Sequence, residues 1–229
     1  MVTAVFPAAG QGKRMQAGIN KVFLELNGKP ILIHTLLKFS ACPQIDDLIV
    51  IAAPDEVAFI ENLLASTAGL KPYKVVAGGT ERQYSIANGL AKLNKDCQIV
   101  LVHDAARPLV DIATIEEIIK AADNVGGAIA AVPAKNTIKV VKNNMVTATP
   151  DRKTLWEVQT PQGFRRDILL TAYKKAKDDS FLGTDDASLV ERIGAPVEVV
   201  MSSYQNIKVT TPEDLLIAEM FLNRKEEYR

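Results

Sequence analysis

Short apolar runs alternate with amphipathic segments along most of this 229-residue chain. Runs such as LIVIAA at 48–53 have no polar alternation, which is typical of strands covered on both faces. The alternation predicts an α/β fold, with a mostly parallel sheet and helices on both faces. The predicted strands are 3–6, 48–53, 73–77, 99–103, 128–132 and 197–201, and the predicted helices are 30–40, 55–66, 81–93, 112–122, 165–177, 185–193 and 212–223.

The alternation breaks between residues 133 and 160. Two β-rich stretches, 137–141 and 145–148, flank Lys142, Asn143 and Asn144, and asparagine tolerates the positive φ of a hairpin turn. A lone hairpin is marginally stable in water, so it needs a partner surface, and a second copy of the chain is the economical candidate. We therefore expect a single domain over residues 1–229, with a β-arm at 133–160 used for dimerisation.

Composition and charge exclude several classes of protein. Lys plus Arg and Asp plus Glu both number 27, so the chain has no net positive field for wrapping nucleic acid. No apolar run is long enough to span a membrane, and the N-terminus lacks the pattern of a signal peptide. The two cysteines form no CxxC pair, and with only two histidines a His/Cys metal site is not expected. These features predict a cytoplasmic protein that binds neither nucleic acid nor membrane.

A glycine-rich, cationic loop follows the first predicted strand. Within PAAGQGKRM at 7–15, Gly10 and Gly12 suit a tight loop whose backbone N–H groups face an anion, and Arg14 and Lys21 add positive charge. Ligands of open parallel sheets bind beyond the carboxyl ends of the strands, so this loop is a candidate phosphate cradle. The alternative is a turn with solvated cations.

Two familiar phosphate motifs do not fit this loop. A dinucleotide-binding fingerprint needs a third glycine where Met15 stands, and a Walker loop needs Ser or Thr where Arg14 stands. The loop is therefore of a different kind.

Three more segments at predicted strand ends carry candidate site residues. Asp104 in VHDAARP is placed to hold a divalent cation bound to phosphates, and Arg107 could bind Asp104 or a phosphate. The glycines of GGTERQYS at 78–85 permit close approach of a flat base, although Thr80 and Gln83 also have the spacing of a helix-capping box. Lys208 lies just before a predicted helix, and we expect its ammonium group to bind a phosphate.

Neither histidine lies in a serine-hydrolase setting, so a catalytic triad has no support. Phosphoryl or nucleotidyl transfer needs mainly positioning and charge neutralisation, which matches this set of residues.

Six motifs in order resemble one known family. PAAGQGKRM with Lys21, GGTERQYS, VHDAARP, DRKTLWEVQTPQGF, GTDDAS and NIKVTTPEDLLIAE are similar to those of the 2-C-methyl-D-erythritol 4-phosphate cytidylyltransferases of the non-mevalonate isoprenoid pathway. The resemblance spans about residues 3–222. It implies a Rossmann-like nucleotidyltransferase fold, a homodimer clasped by β-arms, Mg²⁺, and a reaction of CTP with methylerythritol phosphate that releases pyrophosphate.

The resemblance also implies roles for individual residues. Arg14 and Lys21 match residues that hold the triphosphate and stabilise the transition state, and Lys208 matches a lysine near the α-phosphate that also meets the acceptor. The cytosine pocket would comprise Ala8, Ala9, Gly79, Thr80 and Ser85. Asp104 matches an acidic residue near ribose, metal and substrate. On the acceptor side the matching residues are Arg107, Thr137, Arg152 and Thr184, of which Thr137 and Arg152 would reach into the partner subunit.

Two positions depart from some relatives. Where those relatives have Asp, this chain has Thr80, so we expect a backbone contact to the base rather than a side-chain contact. Where they have Pro before the lysine, this chain has Asn20, which predicts a less rigid loop.

Three alternatives stay open. A ribitol 5-phosphate cytidylyltransferase would share the cradle and the HDA-x-RP turn, while GTDDAS and DRKTLWEVQTPQGF favour the methylerythritol enzyme. A non-catalytic nucleotide-binding regulator on the same fold is opposed by the presence of Lys21, Asp104 and Lys208. An NAD(P)-binding protein is opposed by the missing third glycine.

Overall fold

The computed structural model describes residues 1–10 and 20–227. The strands are β1 (Val2–Pro7), β2 (Glu25–Leu26), β3 (Lys29–Pro30), β4 (Asp47–Ala52), β5 (Tyr73–Ala77), β6 (Ile99–Val102), β7 (Gly127–Pro133), β8 (Val140–Lys142), β9 (Met145–Ala148), β10 (Trp156–Arg165) and β11 (Glu198–Met201). The helices are α1 (Ile31–Ser40), α2 (Val57–Ala65), α3 (Arg82–Leu90), α4 (Ile112–Val125), α5 (Arg166–Asp178), α6 (Asp186–Arg192) and α7 (Pro212–Glu227). Short 3₁₀ turns occupy Lys21–Phe23, Pro54–Glu56 and Arg152–Thr154.

Seven strands form one twisted sheet in the order β11-β7-β10-β6-β1-β4-β5. The pairs β1–β4, β1–β6, β4–β5 and β7–β11 are parallel. Strand β10 alone among these seven runs antiparallel to both of its neighbours, β6 and β7. The prediction of a mostly parallel α/β sheet is therefore confirmed.

Helices cover both faces of the sheet, as the sequence predicted. One core contains residues of α1, α2, α4 and α7, and the other contains residues of α3, α5 and α6. Alternate side chains of a strand point to opposite faces, so Ala4 and Phe6 of β1 enter the first core and Val5 enters the second. This double burial explains why the central strands are continuously apolar.

Strand β10 was not predicted. Its sequence, WEVQTPQGFR, has five polar or charged residues and a proline, so it lacks the apolar run that marks the other central strands. Residues 156–160 of the segment assigned to the arm form its first half. Burial here comes from pairing on both edges and from the absence of a side chain at Gly163, where a Cβ would lie 2.6 Å from Ile118 of α4.

The hairpin of β8 and β9 forms within the predicted segment, although its first strand covers residues 140–142 rather than 137–141. Asn143 and Asn144 both have positive φ, 49° and 61°, which suits a primed two-residue turn. All residues of both strands are exposed, and Val141, Met145 and Val146 present 56–70% of their surface to solvent. No part of the chain within residues 1–10 and 20–227 buries these apolar side chains.

Within residues 1–10 and 20–227, no helix combines the length and apolar character needed to cross a membrane.

We expect Gly163→Ala to lower the free energy of unfolding by about 1–3 kcal/mol, because the added methyl would collide with Ile118 and Leu101 in a packed interior. Urea denaturation measures the change. Gly10→Ala is the matched control, since a Cβ there would have no atom of the described residues within 4 Å. Equal stability of the two variants would contradict the packing described here.

Candidate active site

A cleft of about 590 Å³ opens at the carboxyl ends of β1, β4, β5 and β6. Its walls come from the loops that follow these four strands, joined by the 3₁₀ turn at Lys21 and by the segment before α7. The described residues that line it are Pro7, Ala8, Ala9, Gly10, Lys21, Val22, Ala53, Pro54, Asp55, Gly79, Thr80, Glu81, Arg82, Ser85, Asp104, Ala105, Ala106 and Lys208. This is the edge at which open α/β sheets bind ligands.

Asp104 lies in a cluster of positive charges at the end of β6. Its Oδ2 is 3.1 Å from Nζ of Lys208 and 3.1 Å from Nε of Arg107. Burial alone would raise the pKa of Asp104, but the charges of Lys208, Arg107 and Arg82 outweigh burial and hold that pKa well below its usual range. Asp104 is therefore a carboxylate at any physiological pH.

His103 supports the Asp104 turn from the buried side, through hydrogen bonds to Arg107 and Thr160. Its Nε2 is 3.1 Å from the carbonyl oxygen of Arg107, and its Nδ1 is 3.1 Å from Oγ1 of Thr160. The backbone N–H of Asp104 donates to the same Oγ1 at 3.0 Å. The carbonyl must accept, so Nε2 carries the proton, Nδ1 accepts from the Thr160 hydroxyl, and the ring is neutral.

Burial lowers the pKa of His103 to about 4. With both ring nitrogens hydrogen-bonded and the residue fully buried, His103 is a structural residue of the turn rather than a proton acceptor for a substrate.

The loop after β5 provides a tight surface for a flat group. The hydroxyl of Ser85 accepts from the N–H of Gly79 at 3.0 Å, which folds the loop back on α3. A Cβ on Gly78 would lie 2.9 Å from that hydroxyl, and one on Gly79 would lie 2.9 Å from Cβ of Tyr84. Thr80 does not cap α3, because the residue preceding the helix is Glu81, whose side chain makes no capping hydrogen bond.

Arg82 is a cleft residue that the sequence analysis missed. Its Nη2 is 2.7 Å from Oδ2 of Asp186, whose side chain is completely buried and also accepts from the hydroxyl of Tyr173. Burial alone would lower the pKa of Arg82, but Asp186 and Asp104 raise it above its ordinary value. The signal was available, since Arg82 lies within the GGTERQYS motif.

Gln83 and Gln162, also missed, fix the loop that carries Thr184. Gln83 donates to the carbonyl of Phe181 at 3.0 Å and accepts from the N–H of Gly183 at 2.9 Å. Gln162 donates to Asp185 at 2.8 Å from the other side. Both glutamines are buried, which could not be predicted from their polar residue type.

The structure brings together many of the predicted site residues. Ala8, Ala9, Gly10, Lys21, Gly79, Thr80, Ser85, Asp104 and Lys208 all line the cleft. Gly12 and Arg14 lie outside the described residues.

The predicted acceptor residues lie beyond the cleft lining. Arg107 bonds Asp104 and also donates to the carbonyl of Asn206 at 2.8 Å. Arg152 and Thr137 are exposed on the arm, where Arg152 donates to the carbonyl of Lys135 at 2.8 Å. Thr184 is exposed in the loop before α6.

The described residues contain no cluster of three or more His, Cys, Asp or Glu that could hold a metal by protein ligands alone. Asp104 is suited to a different mode, because Mg²⁺ often takes one carboxylate together with phosphate oxygens of its substrate. Among the described residues, Lys208 and Arg107 both pair with Asp104 through Oδ2, so Oδ1 is the oxygen suited to such a contact.

A family model described as 2-C-methyl-D-erythritol 4-phosphate cytidylyltransferase matches residues 2–224. The chain belongs to this family. A family relative from Caldanaerobacter subterraneus is 47% identical over 225 residues, 97% of this chain and 99% of the relative. One from Geotalea uraniireducens is 49% identical and covers 96% of each chain.

Solved structures agree with this assignment. The chain superposes on 4-diphosphocytidyl-2C-methyl-D-erythritol synthase from Anaerococcus prevotii with a TM-score of 0.86 and 31% identity, over 97% of this chain and 96% of the other. For the Francisella tularensis 2-C-methyl-D-erythritol 4-phosphate cytidylyltransferase the TM-score is 0.81 and the identity 34%, covering 96% and 98%. The resemblance found in the motifs and the nucleotidyltransferase fold that it implied are both confirmed.

We expect Asp104→Asn to lower the free energy of unfolding at pH 7 by about 1–3 kcal/mol, because Lys208 and Arg107 lose their counter-charge. The folded pKa of Asp104 lies below that of the unfolded chain, so its stabilising effect is present above about pH 4 and is lost as the pH falls. The difference between wild type and variant should therefore narrow below about pH 4.

Urea denaturation over a series of pH values measures this difference. The matched control, Asp55→Asn, changes an exposed carboxylate of the same cleft and should leave the free energy of unfolding nearly unchanged. A gap for Asp104→Asn that widens on acidification would contradict the assigned charge cluster.

Proposed function

We propose that this chain transfers the cytidylyl group of CTP to 2-C-methyl-D-erythritol 4-phosphate, giving 4-diphosphocytidyl-2-C-methyl-D-erythritol and pyrophosphate. The observation that carries the proposal is one cleft in which Lys21, Lys208 and Asp104 share walls with the glycine loop at Gly79. Membership of the family supplies the substrates, and the cleft supplies a place for a base beside a place for phosphates.

The proposed reaction needs no side chain that acts as a general base. The second pKa of a phosphate monoester is about 6, so the acceptor oxygen is largely ionised at neutral pH. That oxygen forms a bond to the α-phosphorus of CTP, and the bond from this phosphorus to the bridging oxygen breaks, so pyrophosphate leaves with the electron pair. The buried, neutral state of His103 is consistent with a reaction that needs no general base.

Electrostatic repulsion between the two anions is the main barrier. Lys21 and Lys208, together with Arg14 from the glycine loop, would neutralise charge that develops on the α-phosphate and the leaving group. Backbone N–H groups near Gly10 and Gly12 would add donors without adding mobile charge. Loss of one such preorganised charge typically costs about 3–4 kcal/mol in the barrier.

The base and ribose would lie against the loops after β5, β1 and β6. Ala8, Ala9, Gly79 and Thr80 offer small side chains and backbone groups, and Ser85 shapes the loop. Asp104 would accept a hydrogen bond from a ribose hydroxyl or bind a metal ion. When bound, Mg²⁺ would neutralise phosphate oxygens, and Oδ1 of Asp104 is the protein oxygen that would hold it.

A homodimer through the β-arms would complete the acceptor site. The apolar side chains of β8 and β9 are exposed and need a covering surface, and a second copy of the chain is the partner we propose. Thr137 and Arg152 of the arm would then bind the acceptor's phosphate in the partner's cleft, and Arg107 and Thr184 would line the acceptor side. Neither a nucleic acid nor a membrane is part of this proposal.

A cytoplasmic location is part of the proposal, because CTP is found there.

Burial raises the pKa of both free thiols, Cys42 and Cys97, so neither is suited to a reactive role.

The assay that tests the function is pyrophosphate release, with CTP, ATP, GTP and UTP each combined with methylerythritol phosphate or ribitol 5-phosphate. We expect the fastest release from CTP with methylerythritol phosphate. Faster release with ribitol 5-phosphate would favour the second cytidylyltransferase activity, and CTP binding without release for any acceptor would favour a nucleotide-binding regulator.

We expect Arg152→Ala to raise KM for methylerythritol phosphate by about 10- to 100-fold, because a charge-assisted bond to a phosphate is lost, with little change in KM for CTP. Steady-state kinetics with each substrate varied in turn measure this. Lys153→Ala, at the neighbouring exposed position on the arm, is the control. Equal weakening for both substrates would contradict the arm's assigned role.

A further inference from the structure

Asn20 is a buried polar residue immediately before Lys21, with 7% of its surface exposed. Its Nδ2 donates to the carbonyl oxygen of Ala8 at 2.8 Å and to Oε2 of Glu56 at 2.9 Å. Its Oδ1 accepts from the N–H of Val22 at 3.4 Å. Both partners of Nδ2 can only accept, so the orientation of the amide is determined by its surroundings.

These three bonds join three walls of the cleft. Ala8 belongs to the loop after β1, and Glu56 ends the 3₁₀ turn after β4. Val22 lies in the 3₁₀ turn Lys21–Phe23, of which Asn20 is the N-cap. The side chain of Asn20 therefore ties the turn that carries Lys21 to two neighbouring strand ends at once.

The backbone of Lys21 gains its position from these contacts. The carbonyl of Asn20 accepts from the N–H of Phe23 at 3.0 Å, and that of Lys21 accepts from the N–H of Leu24 at 3.2 Å, so the turn is internally bonded. A three-residue turn of this kind has little stability alone, so its place over the cleft depends on the bonds that anchor it. The sequence analysis associated Asn20 only with a less rigid loop, whereas its side chain is firmly held.

We propose that Asn20 is a positioning residue that holds Lys21 over the phosphate side of the cleft. The inference rests on the proposed function in so far as Lys21 neutralises charge in the transition state. Asn20 itself acts through Lys21 by tying its turn to the loops after β1 and β4.

A double-mutant cycle between Asn20 and Lys21 tests this dependence. Misplacing a charged group by about 1 Å can cost about 100-fold in rate, so we expect Asn20→Ala to lower kcat by about 10- to 100-fold. We expect KM for methylerythritol phosphate to stay within about threefold of wild type. In the Lys21→Ala background, adding Asn20→Ala should lower kcat by less than about threefold, because the group that Asn20 positions is already gone.

Asn94→Ala is the matched control. Asn94 also bonds a carboxylate, that of Asp47, and accepts from Lys74, but it lies at the opposite edge of the sheet. It should change kcat by less than about threefold in both backgrounds. Circular dichroism and thermal denaturation check that each variant is folded at the assay temperature.

A second pair of variants tests the Glu56 contact and does not depend on the folding of Asn20→Ala. Asn20→Asp keeps an acceptor for Val22 but loses both donations and places a carboxylate against Glu56. Its kcat should also fall by about 10-fold or more. Adding Glu56→Gln removes the repulsion and supplies a new donor, so the double variant should recover at least about threefold of the lost kcat.

The outcomes separate this proposal from the proposed function. A wild-type protein that releases no pyrophosphate from CTP would overturn the function alone. Wild-type kcat for Asn20→Ala, or multiplicative losses in the cycle with Lys21→Ala, would overturn the role of Asn20. A crystal structure of Asn20→Ala decides the question without activity, because an undisplaced Lys21 turn would refute the proposal whatever the enzyme's substrate.

Discussion

The charge cluster around Asp104 is the constraint on which the site depends. One carboxylate pairs with Lys208 and Arg107, and Arg82 lies close enough to lower its pKa further. These cations would repel one another if they were not neutralised, and they come from three separate parts of the chain. The carboxylate therefore keeps these cations together in one cleft, where they can bind the phosphates of a ligand.

Around this cluster uncharged polar side chains place the loops, and two of them, Asn20 and Gln162, donate to a carboxylate. His103 and Thr160 hold the Asp104 turn, Gln83 and Gln162 hold the loop at Thr184, and Asn20 holds the turn at Lys21. Each network is buried and satisfied, which makes it rigid and costly to disturb. A reaction that needs charges placed accurately, and no proton transfer from the protein, is well matched to such a frame.

Strand β10 links the fold to the site. It lies antiparallel between β6 and β7, carries Thr160 and Gln162, and begins within the segment 133–160 that was assigned to the arm. The arm and the cleft are therefore joined through one continuous strand of the central sheet. A partner bound to the exposed hairpin would therefore contact a segment continuous with β10, which is hydrogen-bonded to the Asp104 turn and to the loop at Thr184.

Much of the fold could be predicted because hydrophobic periodicity is a local property. Strand β5 at 73–77 was predicted to the residue, and the hairpin turn at Asn143 and Asn144 followed from the tolerance of asparagine for positive φ. Strand β10 escaped prediction because its burial comes from neighbours distant in sequence. Helix α3 ends at Leu90 rather than at residue 93, a boundary that periodicity does not define.

For the site, the sequence alone determined which residues carry charge and which loops contain glycine, because these are properties of the residue types and their spacing. The motifs in order were sufficient to identify the family. Only the tertiary structure decided that Arg82 lines the cleft, that Asn20 ties the Lys21 turn to the loop after β1, and that His103 is a buried neutral support. Their roles depend on partners tens of residues away, and hydrogen-bond geometry and burial exist only once the chain has folded.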